Sequence, residues 1–254
     1  ESRGADALVL EIGMGGRLDA VNAVDPDGGI ITNITLDHCE WLGHDVETIG
    51  AEKAGILRSG RPFVFGSVNL PRSVERRAAE IGADLLVAGR DYRVERGVQT
   101  DGLWGWFGRR NSLTGLRPPS LGATVQVENA AAVLTLLEAL GMDELLQKDT
   151  INAVLGSLSL AGRWQTVHCG RDWLLDVAHN AQAARALART LNAQVVPGRT
   201  IAVCGMLHDK PIVDVLRILV PLVSSWHVAG LPGARGTSTE DMRAALAAAG
   251  AREG

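Results

Sequence analysis

The chain is poor in aromatic residues (4% of 254), carries only three cysteines and has no excess of positive charge. With so few rings, the 46% hydrophobic content has to come from aliphatic and small side chains, which suits a Gly- and Ala-rich α/β protein with a sizeable core. Cys39, Cys169 and Cys204 are an odd set with no close pair. That excludes a disulfide framework and a structural zinc site and points to a reducing cytoplasm. A net charge of −4 and a pI near 5.9 exclude bulk binding to nucleic acid or anionic membranes, which needs concentrated Lys and Arg; small molecules are the expected partners. The longest apolar tract, Ile212 to Trp226, is broken by Asp214, Arg217 and Pro221, so it reads as a buried helix and not a membrane span.

Two nucleotide-binding patterns are also missing. Gly13-Met-Gly-Gly16 invites a dinucleotide reading, but the fingerprint needs glycine at position 18, where Leu18 stands. A Gly-x-x-x-x-Gly-Lys-Ser/Thr loop occurs nowhere, so a nucleoside triphosphate site would take its phosphate loop from outside these residues or do without one. Without such a motif, Gly13 to Gly16 is a tight strand-to-loop turn.

What is present alternates. Apolar runs at residues 8–13, 29–36, 62–65 and 84–88 read as strands, and helices are expected over 46–58 and 73–81, which implies right-handed crossovers and a parallel sheet. From residue 92 to 127 the texture changes to short alternating segments (92–95, 103–107 and 124–127) separated by glycines, which predicts a small antiparallel β insertion. Helices over 129–140 and 150–157 follow, then a short linker at 157–162 that puts a domain boundary near residue 159. Strands at 173–177, 200–204 and 226–229 with helices at 181–191, 212–222 and 239–249 predict a second parallel α/β unit over 160–254. Both ends read as cut from a longer protein.

Several residues stand where chemistry collects in such sheets, at the carboxyl ends of strands. Glu11 and His38 follow the first two expected strands, and together they suit a hard cation such as Mg²⁺; taken singly, each also reads as a structural group, a salt-bridged carboxylate and a capping or core imidazole. Val46, Ile49, Lys53 and Ile56 fall at helical spacing, placing Lys53 inside an apolar stripe. There it is either snorkelling or functional, since a desolvated lysine is easier to deprotonate and modify. Asp176 ends a strand and His179-Asn180 opens the next helix, an arrangement that suits either a polar ligand or simple helix capping. Arg163 reads as a phosphate contact or as surface packing beside Trp164. His208-Asp209-Lys210 lies on another carboxyl-end loop.

Glu11-Ile-Gly-Met-Gly-Gly-Arg-Leu-Asp-Ala-Val-Asn22, Asp37-His-Cys-Glu-Trp-Leu-Gly43, Ile49-Gly-Ala-Glu-Lys-Ala-Gly-Ile56, Asn129-Ala-Ala, Gly162-Arg163 and Asp176-Val-Ala-His-Asn180 match a known series in order and spacing. With them the chain resembles the folylpolyglutamate synthase and dihydrofolate synthase branch of the Mur ligase family. The resemblance implies a partial central parallel-sheet ATPase domain at 1–159 followed by a partial Rossmann-like glutamate-ligase domain at 160–254. It further implies an ATP-dependent amide ligase: the carboxylate of dihydropteroate or of a folate is phosphorylated, and the amine of L-glutamate attacks the acyl phosphate. Glu11 and His38 then look like magnesium ligands and Lys53 like a carbamylated lysine. Asn129 and Arg163 look like nucleotide contacts, and Asp176 with His179 would complete the ATP and glutamate side. A cytoplasmic monomer is implied, working without nucleic acid or membrane. The family's phosphate loop would precede Glu1 and its last strands would follow Gly254, so this stretch alone is expected to bind ATP poorly and to be inactive. Val177 stands where the family usually has glycine. Two other readings remain: an amino-acid ligase of cell-wall precursor synthesis, and an α/β binding module that has lost its chemistry.

Overall fold

The computed structural model describes residues 4–36, 39–97, 102–122, 125–193 and 198–251. The chain divides into two compact units. One takes in Glu1–Pro118 and Val127–Leu155, the other Pro119–Gln126 and Gly156–Gly254.

In the first unit β1 (Gly29–Ile31), β2 (Pro62–Phe65) and β3 (Asp84–Val87) form a parallel sheet in the order β1-β2-β3, with Ile30, Val64 and Leu86 in register. Alternation along β2 sends side chains to opposite faces. Phe63 and Phe65 pack with Ile31, Ala54, Leu57, Val74, Ala78 and Val87, under α3 (Arg72–Ile81) and the turn that follows α2 (Val46–Lys53, after the short α1, Cys39–Leu42). Val64 and Leu86 face a second cluster. Both faces are covered, as an apolar parallel sheet requires.

Residues 8–13 do not form the expected first strand. Leu8 and Val9 are 72% and 95% exposed, and among the described residues this segment has no ladder partner. An apolar run becomes a strand only when a neighbouring strand takes its N–H and C=O groups. The helix expected over 46–58 stops at Lys53 and continues as a 3₁₀ turn, Ala54–Ile56. The tighter turn takes Ile56 off the α2 face, and Val46 is exposed, so the apolar stripe reduces to Ile49 with a half-buried Lys53.

The predicted insertion is an antiparallel sheet of β4 (Arg93–Arg96), β5 (Trp104–Phe107) and β6 (Ser112–Leu116). β6 was not expected, and the strand expected at 124–127 is instead the start of α4 (Val125–Ala139). The β-branched alternation of Val125 and Val127 favours a strand locally. It is overruled because Val127, Ala131 and Leu134 bury together at helical spacing against Trp104, Trp106 and Leu116. Glu138, 2% exposed, fixes the β5–β6 hairpin on this helix: its carboxylate accepts the backbone N–H groups of Arg109, Arg110 and Asn111 at 2.9, 3.0 and 2.6 Å. α5 (Lys148–Ser157) closes this core through Ile151 and Leu155.

In the second unit β7 (Gln165–His168) and β8 (Asp172–Leu175) form an antiparallel hairpin, where a wholly parallel unit was expected. Gly170, in the left-handed region at φ 66°, allows the tight turn between them. α6 (Ala181–Ala193) follows. β9 (Ile201–Cys204) and β10 (Ser225–Val228) are parallel, separated by α7 (Ile212–Leu219) and followed by α8 (Thr239–Ala248). Ala184, Met206, Val215 and Met242 form the core here. No helix of the described residues is long and apolar enough to cross a membrane.

Several carboxylates serve as fixed acceptors. Asp45 caps α2 through the Thr48 hydroxyl and N–H, and Glu47 takes the N–H groups of Ser73 and Arg72 at the start of α3. These bonds hold both carboxyls below their ordinary range, and the Arg235 guanidinium does the same for Asp209. A depressed folded pKa contributes stability that is present above the unfolded value and lost as pH falls through the folded one. The urea midpoint is therefore expected to fall steadily below about pH 4, and Asp45→Asn should flatten that fall. An acid limb identical in the variant would contradict it.

Candidate active site

The segment that follows Glu11 is a glycine turn closed by Asp19. The Asp19 carboxylate accepts the N–H groups of Met14 at 3.0 Å and Val21 at 2.9 Å, caps the 3₁₀ turn Ala20–Ala23, and is held below the usual carboxylate range by these two bonds. Gly16 lies so close to the end of α2 that a Cβ there would stand 2.8 Å from the Glu52 carbonyl oxygen and 3.0 Å from that of Lys53. The Arg17 N–H donates to the Glu52 carbonyl at 2.9 Å, and its guanidinium grips the Glu52 carboxylate through Nε at 3.1 Å and Nη2 at 2.9 Å. Asn22 Nδ2 donates to the carbonyls of Arg17 and Gly55. The turn after Glu11 is therefore fastened to the last turn of the helix that ends in Lys53.

Glu11 itself is exposed, and Lys53 is half-buried. His38 lies outside the described residues. Among the described residues no group of three His, Cys, Asp or Glu side chains is placed to hold a metal ion. Asn129 is half-buried in the second turn of α4. A cleft of about 610 Å³ between α2 and α3 is lined by Glu47, Thr48, Ala51, Arg72, Ser73 and Arg76. None of the residues selected from sequence lines it, and the α3 N–H groups on its wall are already answered by Glu47.

In the second unit Arg163 is exposed on a turn whose flanking residues both have positive φ, Gly162 at 70° and Trp164 at 47°. For tryptophan this is a strained conformation. It is held because the Asp176 carboxylate accepts the Trp164 N–H at 3.1 Å, while the ring is buried against Gly122. Asp176 also accepts the Ala178 N–H at 2.9 Å, so it is structurally engaged and exposed at once. His179 donates from Nδ1 to the Val177 carbonyl at 2.9 Å, which in the neutral ring leaves Nε2 as the acceptor. Asn180 caps α6 by accepting the Ala183 N–H. Val177, the departure from the family pattern, packs its Cγ1 on Gly162.

Residues 1–89 match the Mur ligase middle domain and residues 162–253 the Mur ligase glutamate ligase domain. The chain belongs to the Mur ligase family. The relatives that the chain resembles are dihydrofolate synthase/folylpolyglutamate synthases. It is 39% identical over 237 residues to the Escherichia coli dihydrofolate synthase/folylpolyglutamate synthase, covering 93% of this chain and 54% of that protein. The Mycobacterium tuberculosis relative is 30% identical over 232 residues, with 87% and 48% covered. The structure of E. coli FolC in complex with DHPP and ADP superposes with a TM-score of 0.85 at 38% identity, covering 93% of this chain and 55% of that one. A bifunctional folylpolyglutamate synthase/dihydrofolate synthase with Mn, AMPPNP and L-glutamate bound gives 0.82 at 41%, covering 96% and 56%. The chain thus spans about half the length of the curated relatives it matches.

Proposed function

We propose that the protein to which this chain belongs is an ATP-dependent ligase that joins L-glutamate to dihydropteroate, to folates, or to both, in folate biosynthesis in the cytoplasm. The observation that carries the reading is the ordered agreement of both units with one branch of ligases, whose solved members bind ADP, AMPPNP, Mn and L-glutamate. In this reading the unit ending near residue 159 is the central ATP-binding domain and residues 160–254 belong to the glutamate-ligase domain. The enzyme works as a monomer on small molecules.

The chemistry is phosphoryl transfer followed by amide formation. An acceptor carboxylate oxygen takes the γ-phosphoryl group and ADP leaves; the glutamate amine then attacks the acyl carbon and inorganic phosphate departs. The protein's part is positioning and charge neutralisation. Glu11 and His38 would hold Mg²⁺, which accepts few protein ligands because it keeps water and phosphate oxygens around it. That habit fits an exposed carboxylate with no three-residue cluster among the described residues. Bound there, the ion would neutralise phosphate charge. Lys53, as a carbamate, would present an anion towards the same place. Asn129 and Arg163 would contact the nucleotide. His179, its tautomer set by the Val177 carbonyl, and Asp176 would serve the nucleotide and glutamate. Asp176 must do so while holding the Trp164 N–H.

Glutamate-dependent ADP release by the complete protein, measured with dihydropteroate, tetrahydrofolate and a UDP-muramyl acceptor, tests the reading. Release with either pterin acceptor is expected. Release only with the UDP-muramyl compound would move the protein to cell-wall synthesis, and release with none would leave a binding module.

A further inference from the structure

Arg58 joins two stretches far apart in sequence through all three of its guanidinium nitrogens. Nη1 donates to the carbonyls of Gly55, Ile56 and Leu57 at 3.4, 3.0 and 3.3 Å, just past the end of α2. Nη2 donates to the backbone and side-chain oxygens of Asn22 at 2.8 and 3.1 Å, and Nε to Asp25 at 2.6 Å. Asn22 returns the connection by donating to Gly55 and Arg17. The Arg58 side chain is only 25% exposed, while its partner Asp25 is 86% exposed. The weight of the joint therefore rests on the carbonyls and Asn22, because an exposed ion pair is worth little. Gly16 and Gly55 let the two backbones meet: a Cβ on Gly16 would press on the carbonyls of Glu52 and Lys53, and one on Gly55 would overlap Arg17.

We propose that Arg58 is a positioning residue. It locks the segment following Glu11 onto the 3₁₀ turn that continues α2 and so fixes where Glu11 and Lys53 stand, without touching substrate itself. This deepens the ligase reading and rests on it. The planar fork matters, because lysine offers a single ammonium point and cannot serve three carbonyls and Asn22 in one plane. A site loosened by about 1 Å loses on the order of a hundredfold in rate.

The test uses the complete protein carrying Arg58→Ala, Arg58→Lys or Asn22→Ala. Hydrogen exchange should speed up at residues 14–24 by about tenfold or more, while β2 and α3 stay protected. Mn²⁺ binding in the presence of AMPPNP, followed by electron paramagnetic resonance, should weaken about tenfold, and KM for glutamate should stay within about twofold. Arg58→Lys should resemble Arg58→Ala. If Arg58→Ala does not fold, Asn22→Ala, which keeps the Arg58 bonds to backbone carbonyls and removes only those of the Asn22 side chain, carries the same expectation. A uniform rise in exchange with Mn²⁺ affinity per folded molecule unchanged would overturn the proposal and reduce Arg58 to a stabilising residue. A wild-type protein without glutamate-dependent ADP release would bring down the ligase reading instead, and the exchange data would still decide the joint.

Discussion

Lys53→Ala in the complete protein is expected to lower turnover by about 10²–10³-fold, with acetate restoring part of it. Lys53 is the last residue of α2, half-buried, beside a turn fastened to that helix end by Arg17, Asn22 and Arg58. The partial negative charge at a helix C-terminus favours a cation. In the proposed carbamate, addition of CO₂ to the amine with loss of a proton would replace that cation by a carboxylate. The Arg58 guanidinium on the following carbonyls supplies positive charge to the same helix end. Alanine leaves room for a small carboxylate to enter, so acetate should rescue where chloride at equal ionic strength does not. Unchanged turnover in Lys53→Ala, or equal rescue by chloride, would contradict the carbamate role.

Glu138→Ala is expected to cost about 3–5 kcal/mol, a large share of the roughly 5–15 kcal/mol that holds an ordinary domain together. The carboxylate is buried, and its removal strips the acceptor from three consecutive N–H groups at once. Gly108 makes the space unforgiving: a Cβ there would lie 2.5 Å from the Trp106 ring and 2.6 Å from Glu138 Oε2, so the hairpin cannot settle inward to refill the gap. Glu138→Gln keeps one carbonyl oxygen facing the turn and should cost about 1–2 kcal/mol. Urea unfolding measures both. A loss below about 1 kcal/mol for the alanine variant would show that water replaces the carboxylate without penalty.

The parts of this fold that were legible in sequence are those whose signal is local. Pro62–Phe65 is a short apolar run between Gly60 and Gly66, and it forms the strand expected of it. Arg72–Ile81 ends at Gly82 in the left-handed region, as its glycine signals. What sequence hid depends on distant partners. Leu8, Val9 and Leu10 read as a strand, but pairing decides strands, and none is supplied among the described residues. Ser112–Leu116 carries Gly115 at φ 67° and looks like loop until β5 is laid beside it. Glu11, Lys53 and Asp176 stood out through position and charge, whereas Arg58 looked like an ordinary residue at a helix end. Its partner Asn22 lies on a turn that no periodicity connects to it. Trp164 gave no signal of its strained backbone, since that depends on Asp176 and Gly122.

In the proposed ligase an acceptor carboxylate is activated by phosphoryl transfer and then captured by glutamate. Supplying the complete protein with ATP, L-glutamate and dihydropteroate labelled with ¹⁸O in its carboxylate tests this most directly. The acyl-phosphate route requires that one carboxylate oxygen leave with the phosphate, so mass spectrometry should find one ¹⁸O in inorganic phosphate for each amide formed. Amide formation with unlabelled phosphate would contradict the account.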